Sequence, residues 1–190
     1  MRESEVLETF RRTGGLLEGH FELRSGLHSD RYFQCALVLQ YPVLTARLCG
    51  ALVERLRAAN LAEGMSVVAP AMGGLFVGHE IARALEARSI FAEKEEGRLV
   101  LRRGFRVAPG ERFIVAEDVV TRGGRVRETI GLVRAAGGTV TAVAALVDRS
   151  GGTADFGVPF FSLLRLAPTT WSPADCPLCR EGRPVEHPGS

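Results

Sequence analysis

The sequence predicts an α/β fold with a mainly parallel sheet flanked by helices, and three observations carry that expectation. Short apolar runs at 65–70, 89–94, 112–118 and 139–148 alternate with stretches of helical length, the rhythm of parallel strands joined by right-handed crossovers. Their apolar character suits a sheet covered on both faces. The third run ends in adjacent acids, Glu117 and Asp118, followed by a glycine turn. Open parallel sheets bind ligands beyond the carboxyl ends of their strands, so that turn marks the candidate site.

Taken in order, residues 2–12 read as a helix with Val6, Leu7 and Phe10 on one face. The segment 19–34, GHFELRSGLHSDRYFQ, mixes apolar residues with turn formers and reads as strand-rich and irregular. Pro42 opens a helix through Ala59 with Leu44, Leu48, Leu52, Val53 and Leu56 as its stripe, proline being favoured in the first turn. MSVVAP (65–70) is the first sheet strand, and Met72-Gly73-Gly74 leads into a helix over 75–87. SIFAEK (89–94) is the second strand, and the polar, alternating stretch 96–110 closes on Pro109-Gly110. RFIVAED (112–118), the tight loop TRGG (121–124), a helix over 126–138 and the strand TVTAVAALVD (139–148) complete the core. The expected organisation is one domain over 1–190: accessory elements at 1–41, a core at 65–148 and a C-terminal accessory segment at 149–190.

Composition excludes several classes. A net charge of +2 makes no case for a nucleic-acid or membrane partner. No apolar run approaches the ~20 residues of a bilayer span, and the charged start MRESEVLETFRR lacks the apolar stretch of a signal peptide. Four irregularly spaced cysteines (Cys35, Cys49, Cys176, Cys179) suit a reduced, cytoplasmic protein. Cys176-x-x-Cys179 has the spacing of half a zinc site, but there is no second pair and His187 is the nearby extra ligand, so a turn is the favoured reading. Lys94 is the only lysine among 24 basic residues. In a chain that otherwise uses the broad guanidinium fork, it marks a place for a compact, mobile charge.

The segment from Phe113 to Arg125 carries the chemistry. A buried strand delivers Glu117 and Asp118 to its end, and Thr121-Arg122-Gly123-Gly124 turns the chain into a helix. Such a turn presents free backbone N–H groups and a positive dipole end to a phosphate, and Thr121 adds a hydroxyl. The spacing lacks the Gly-Lys-Ser/Thr ending of a nucleotide-triphosphate loop and the three-glycine dinucleotide fingerprint. Carboxylates repel a bare phosphate, so the pair addresses vicinal hydroxyls, a metal or developing positive charge. A phosphorylated sugar uses all three.

Glu117-Asp118-Val119-Val120-Thr121-Arg122-Gly123-Gly124 resembles the phosphoribosyl pyrophosphate (PRPP) motif of type I phosphoribosyltransferases. Three further segments resemble the orotate phosphoribosyltransferase family. Gly19 to Gln34 is similar to its N-terminal hood, Phe91-Ala-Glu93-Lys94-Glu95 to the start of its mobile catalytic loop, and Val147-Asp148-Arg149 to the Asp-Arg after its fourth strand. The tail from Cys176 to Ser190 looks like one branch of that family. The resemblance implies the type I phosphoribosyltransferase fold with a small N-terminal hood at 1–41. It implies a PRPP site of Lys94, Glu117, Asp118, Val119, Val120, Thr121, Arg122, Gly123, Gly124 and Arg125, with Lys94 and Asp118 catalytic. It also implies an orotate site of Thr121 and Arg149, whose fork suits a carboxylate. Two departures stand out: Arg125 replaces the usual hydroxyl residue, and Pro70-Ala71-Met72-Gly73-Gly74 lacks the lysine some members carry near pyrophosphate. Arg24 aligns with a basic hood position of some members.

By the same resemblance, Mg²⁺ is bound mainly through PRPP, with no committed protein ligand, and the 96–110 loop reaches a neighbouring subunit in a homodimer. Arg102 and Arg103 stand with Lys94 as candidates for closing over pyrophosphate. A purine phosphoribosyltransferase and a PRPP-sensing regulator on the same fold are the alternatives. The hood and Asp148-Arg149 weigh against the first, and the lack of a nucleic-acid surface against the second.

Overall fold

The computed structural model describes residues 1–23, 25–167 and 169–188; Arg24, Pro168, Gly189 and Ser190 lie outside the described residues. Helix α1 (Glu3–Arg12) leads into β1 (Leu16–Glu22) and β2 (His28–Phe33), then α2 (Ala36–Leu39) and α3 (Pro42–Ala58). The core follows as β3 (Ser66–Pro70), α4 (Gly74–Leu85), β4 (Ser89–Glu95), β5 (Arg98–Leu101), β6 (Arg112–Val120), α5 (Gly124–Ala135) and β7 (Thr139–Asp148). It ends with β8 (Phe160–Arg165), β9 (Thr170–Trp171) and the short α6 (Pro177–Arg180).

The apolar runs form strands of a six-stranded sheet in the order β5-β4-β3-β6-β7-β8. Only β5 is antiparallel to its neighbour. Alternate residues serve opposite faces. Val67, Ala69, Ile114, Ala116, Ala142 and Ala144 meet Leu48, Leu52, Val77 and Ile81 of α3 and α4. Val68, Phe113, Val115, Val143 and Ala145 meet Val126, Ile130 and Val133 of α5. Burying both faces explains why these strands carry no polar alternation.

The structure extends the expectation in three places. The strand expected at 112–118 continues to Val120, so the acidic pair lies within β6 and not at its last residue. The polar stretch 96–110 begins as a hairpin, Glu93 opposite Val100 and Lys94 opposite Leu99. The segment 149–190 supplies β8 to the main sheet and β9 to a small antiparallel sheet, β1-β2-β9. Pairing between segments so distant in sequence leaves little local signal to read.

Order β4-β3-β6-β7 means that the chain leaves β3 toward one side of the sheet and later returns to fill the other. The carboxyl ends of β3 and β6 therefore flank a topological switch point, where connections diverge and a crevice opens. Helix α4 is drawn very close to the sheet beside it: a Cβ on Gly78 would stand 2.8 Å from the Ala69 Cβ. Gly78→Val should destabilise the protein by about 3 kcal/mol through overpacking. Gly131→Ala, on the exposed side of α5 where nothing stands within 4 Å, should stabilise it by about 0.5–1 kcal/mol. Urea unfolding of both variants tests this; equal effects would show that α4 can simply move away.

Candidate active site

A cleft of about 790 Å³ opens at the switch point, within the usual size for a small-molecule site. Of the residues expected there, Glu117, Asp118, Val119, Val120, Thr121, Gly123, Gly124, Arg125 and Arg149 line it. Arg122 and Lys94 do not appear in its lining.

The acidic pair occupies the floor. Glu117 is only 4% exposed, and burial, reinforced by the neighbouring Asp118 charge, pushes its carboxyl well above the usual carboxylate range. Backbone donors hold both side chains: Asp118 N donates to Glu117 Oε1 at 3.1 Å, and Val119 N to Asp118 Oδ1 at 2.8 Å. The loop after β3 presses onto them from the other side. A Cβ on Gly73 would stand 2.8 Å from Asp118 Oδ1, and one on Gly74 would stand 2.9 Å from the Ala116 carbonyl oxygen. Any side chain at these positions would push the loop or the carboxylates out of place. Met72-Gly73-Gly74, which the sequence reads as leading into a helix in a stretch that the resemblance puts near pyrophosphate, is thus the opposite wall of the site.

Two helices start at this cleft without a side-chain cap: α4 behind Gly73 and α5 behind Gly123. Their first N–H groups lack intrahelical acceptors, so two positive dipole ends converge on one cavity. Gly123 has φ +72°, and a Cβ there would collide with the Phe156 ring at 2.6 Å. Arg127 lies over that ring at 5.3 Å and donates to the carbonyls of Arg122 and Asp155. Phe156 and Arg127 therefore brace the phosphate-type loop from behind. Sequence reading missed both, because neither falls in the motif.

Arg149 lines the cleft at the end of β7, its backbone N–H tied to the Val120 carbonyl at 2.7 Å. Its Nε is buried without a hydrogen-bond partner, and burial lowers its pKa from the ordinary value. Among the described residues Arg149 forms no ion pair; the neighbouring Asp148 instead has Arg165 Nε 3.4 Å from its Oδ2 and is bonded through Oδ1 to Ser150. A half-buried guanidinium that lines a cavity with its Nε unpartnered suits an anionic or polar ligand.

The hood closes the top with Leu23, Ser25, Tyr32, Phe33, Gln34 and Cys35. Cys35 is buried facing Asp118, and burial together with the acidic pair pushes its thiol well up, so it acts as a neutral packing group. Nothing in the sequence motif singled it out. On the far side, Lys94 is exposed on the β4–β5 hairpin. Arg102 pairs with Glu95 at 3.0 Å, and Arg103 with Glu93 at 2.8 Å. Within this chain those arginines are engaged with their own hairpin, not with the cleft.

No family model matches the chain. It is 54% identical over 194 residues, covering 100% of its length and 99% of the relative's, to the orotate phosphoribosyltransferase of Heliobacterium modesticaldum. Among solved structures it is similar to orotate phosphoribosyltransferase from Aeropyrum pernix (26% identity, TM-score 0.72, covering 85% of this chain and 93% of that one). Adenine phosphoribosyltransferase from Thermoanaerobacter pseudethanolicus, at 17% identity and TM-score 0.61 over 72% of this chain and 88% of that one, shares the fold.

The burial of Glu117 makes a stability prediction. Its folded-state pKa is raised, so its contribution is present at low pH and lost as pH rises through the folded value, where a charge must be held in a poorly solvated site. Glu117→Gln should match the parent in melting temperature only below the ordinary Glu value of 4.5, at about pH 3.5–4. It should be more stable by an amount on the order of 1 kcal/mol, about 2–4 °C, near pH 9. A difference independent of pH would mean that Glu117 is ionised at no cost.

Proposed function

Because the chain belongs to the orotate phosphoribosyltransferase family, we propose that the cleft divides its work among the acidic pair, two helix starts and Arg149. The reaction joins orotate N1 to ribose C1 of PRPP, giving orotidine 5′-phosphate and pyrophosphate in pyrimidine biosynthesis; the enzyme is a pentosyltransferase. The observation that carries the assignment is the buried, unpartnered Nε of Arg149 facing the same cavity as the acidic pair. A planar carboxylate such as that of orotate satisfies a guanidinium fork. Thr121, on the loop between them, completes the orotate site.

PRPP carries two anionic ends, and the cleft offers two uncapped helix starts. In this reading the 5-phosphate lies on Thr121–Arg125 and the start of α5, with Val119 and Val120 leading the chain to it. The pyrophosphate lies against the backbone of residues 71–74 at the start of α4. Arg125, whose charge is felt at Glu117, adds a cation where the motif commonly has a hydroxyl. Glu117 and Asp118 take the ribose hydroxyls. Asp118 is the catalytic carboxylate: as the bond to pyrophosphate loosens ahead of attack by N1, ribose becomes cationic and a fixed negative charge beside it is stabilising. Orotate N1 is already acidic, so no strong general base is needed.

Magnesium would arrive with PRPP and be held mainly through it, with no protein ligand assigned, in a cleft whose acidic floor tolerates a cation. When bound it spreads the charge of the leaving group. A reducing, cytoplasmic setting suits the four thiols, none paired in a disulfide. Among the described residues no helix is long and apolar enough to cross a membrane.

Lys94 completes the reading as a catalytic residue donated by the partner subunit of a homodimer. Its place outside the lining of its own cleft, exposed on the β4–β5 hairpin, supports that arrangement. So do the exposed apolar side chains of Tyr41, Val43, Met72 and Phe76, which favour an interface.

Arg149→Ala should raise the KM for orotate at least about tenfold while changing that for PRPP little, since about 1.4 kcal/mol or more of carboxylate binding is removed. Equal effects on both substrates would point to a structural arginine. Lys94→Ala and Asp118→Asn should each lower kcat by about 10² or more. Mixing the two inactive proteins should restore part of the activity, because one hybrid site then holds an intact Lys94 and an intact Asp118. No recovery after verified subunit exchange would place Lys94 in the service of its own chain.

A further inference from the structure

A second constellation lies outside the cleft, between the hood and the tail. His20 on β1, His28 on β2, Cys176 and Cys179 bring one ligand atom each to a common point, all within 4.8 Å of one another. We propose that these four residues bind one structural zinc ion, independently of the reaction in the cleft. Sequence spacing had favoured a plain turn at Cys176-x-x-Cys179 with His187 as the nearby extra ligand. The fold instead directs His187 to Glu22, at 3.6 Å, and delivers two histidines from more than a hundred residues upstream.

The distances suit a tetrahedral ion. Zinc bonds of ~2.0–2.1 Å to nitrogen and ~2.3 Å to sulfur imply edges of about 3.3 Å between nitrogens and about 3.6 Å between nitrogen and sulfur. Cys176 Sγ stands 3.4 Å and Cys179 Sγ 3.7 Å from His20 Nε2, and Cys179 Sγ stands 3.3 Å from His28 Nδ1. The two imidazole nitrogens are 2.8 Å apart, so this edge must open by about half an ångström, and every other separation lies within 4.8 Å. His20 is oriented from behind: its Nδ1 lies 2.9 Å from the Arg183 carbonyl oxygen. A carbonyl can only accept, so the ring proton sits on Nδ1 and the Nε2 lone pair faces the cluster. Metal-bound histidines are typically fixed in this way.

Charge and burial agree. His20 and His28 are 2% and 5% exposed and Cys176 is fully buried, while exposed Cys179 leaves an entry path. On binding, each thiol gives its proton to solvent, and two thiolates neutralise the dication, so no net charge is buried. Two sulfurs and two imidazoles in tetrahedral array select zinc over harder cations, and four protein ligands leave no open position for catalysis. The ion would join parts that are weak alone: a hairpin, a four-residue helix and a tail held by Glu22 N to Glu186 O (3.0 Å) and Glu186 N to His20 O (2.8 Å).

The test uses the untagged, full-length protein purified without chelator, with zinc measured by plasma mass spectrometry. About one zinc per chain is expected, falling below about 0.1 in the double variant Cys176→Ser, Cys179→Ser. Removing zinc should lower the melting temperature by more than about 5 °C, restored by Zn²⁺ but not by Mg²⁺. Metal-stripped parent protein titrated with Co²⁺ should show tetrahedral ligand-field bands and thiolate-to-metal charge transfer at one equivalent, and this decides the matter if the double variant does not fold. Substoichiometric zinc with no Co²⁺ uptake, a Cys176–Cys179 disulfide in reduced extracts, or zinc retained by the double variant would each overturn the proposal.

Discussion

Two carboxylates side by side near the end of a buried strand are costly, and the surroundings of Glu117 and Asp118 are shaped by that cost. Strand β6 places them at the switch point, where the neighbouring connections diverge and leave room for a ligand. Backbone N–H groups satisfy part of their oxygen atoms. The close approach of Gly73 and Gly74 excludes any side chain from the opposite wall, and α4 can come this near only because Gly78 lets it settle onto Ala69. Cys35 of the hood closes the remaining side as an uncharged thiol. The burial of the pair costs the fold stability, and in the proposed reading what it does to a bound sugar offsets that cost.

The anion side of the cleft is built on the reverse principle. There the groups left unsatisfied are donors: the first N–H groups of α4 and α5 and the buried Nε of Arg149. Donors without acceptors next to acceptors with few donors describe a cavity complementary to a ligand that carries phosphates, hydroxyls and a carboxylate. Phe156 and Arg127 back the glycine loop: Gly123 occupies the left-handed region, open to a residue without a Cβ, and has an aromatic ring directly behind it.

Hood and tail show how a covering element is anchored. The hairpin β1–β2 lines the cleft with Tyr32 and Phe33 on one strand while the opposite part of the same hairpin carries His20 and His28 to the tail. Whatever fixes the tail therefore also limits how far the hood can move. The β4–β5 hairpin is different in kind: it is charged, and its arginines are paired with its own glutamates. Such a segment keeps its shape through its own ion pairs, and Leu99 N–H, donating to Glu128 Oε1 at 2.6 Å, ties it to α5.

The sequence by itself determined the order of the core elements and the chemistry of β6. Those are local matters: continuous apolar runs announce buried strands, Pro42 announces the start of α3, and an acidic pair before Thr121-Arg122-Gly123-Gly124 is legible without coordinates. Nine of the expected site residues lie along the cleft because most of them share one strand–loop–helix unit, whose geometry is local. Tertiary structure alone decided the rest. That Gly73 and Gly74 press onto the acidic pair, that Phe156 and Arg127 brace the loop, that Arg149 forms no ion pair among the described residues while Asp148 meets Arg165, and that β8 joins the main sheet all depend on contacts between separate segments. The same holds for Cys176 and Cys179. Their spacing was visible as half a ligand set, but its other half lies about 150 residues away, and only the closing of β1, β2 and the tail onto one another brings the two together.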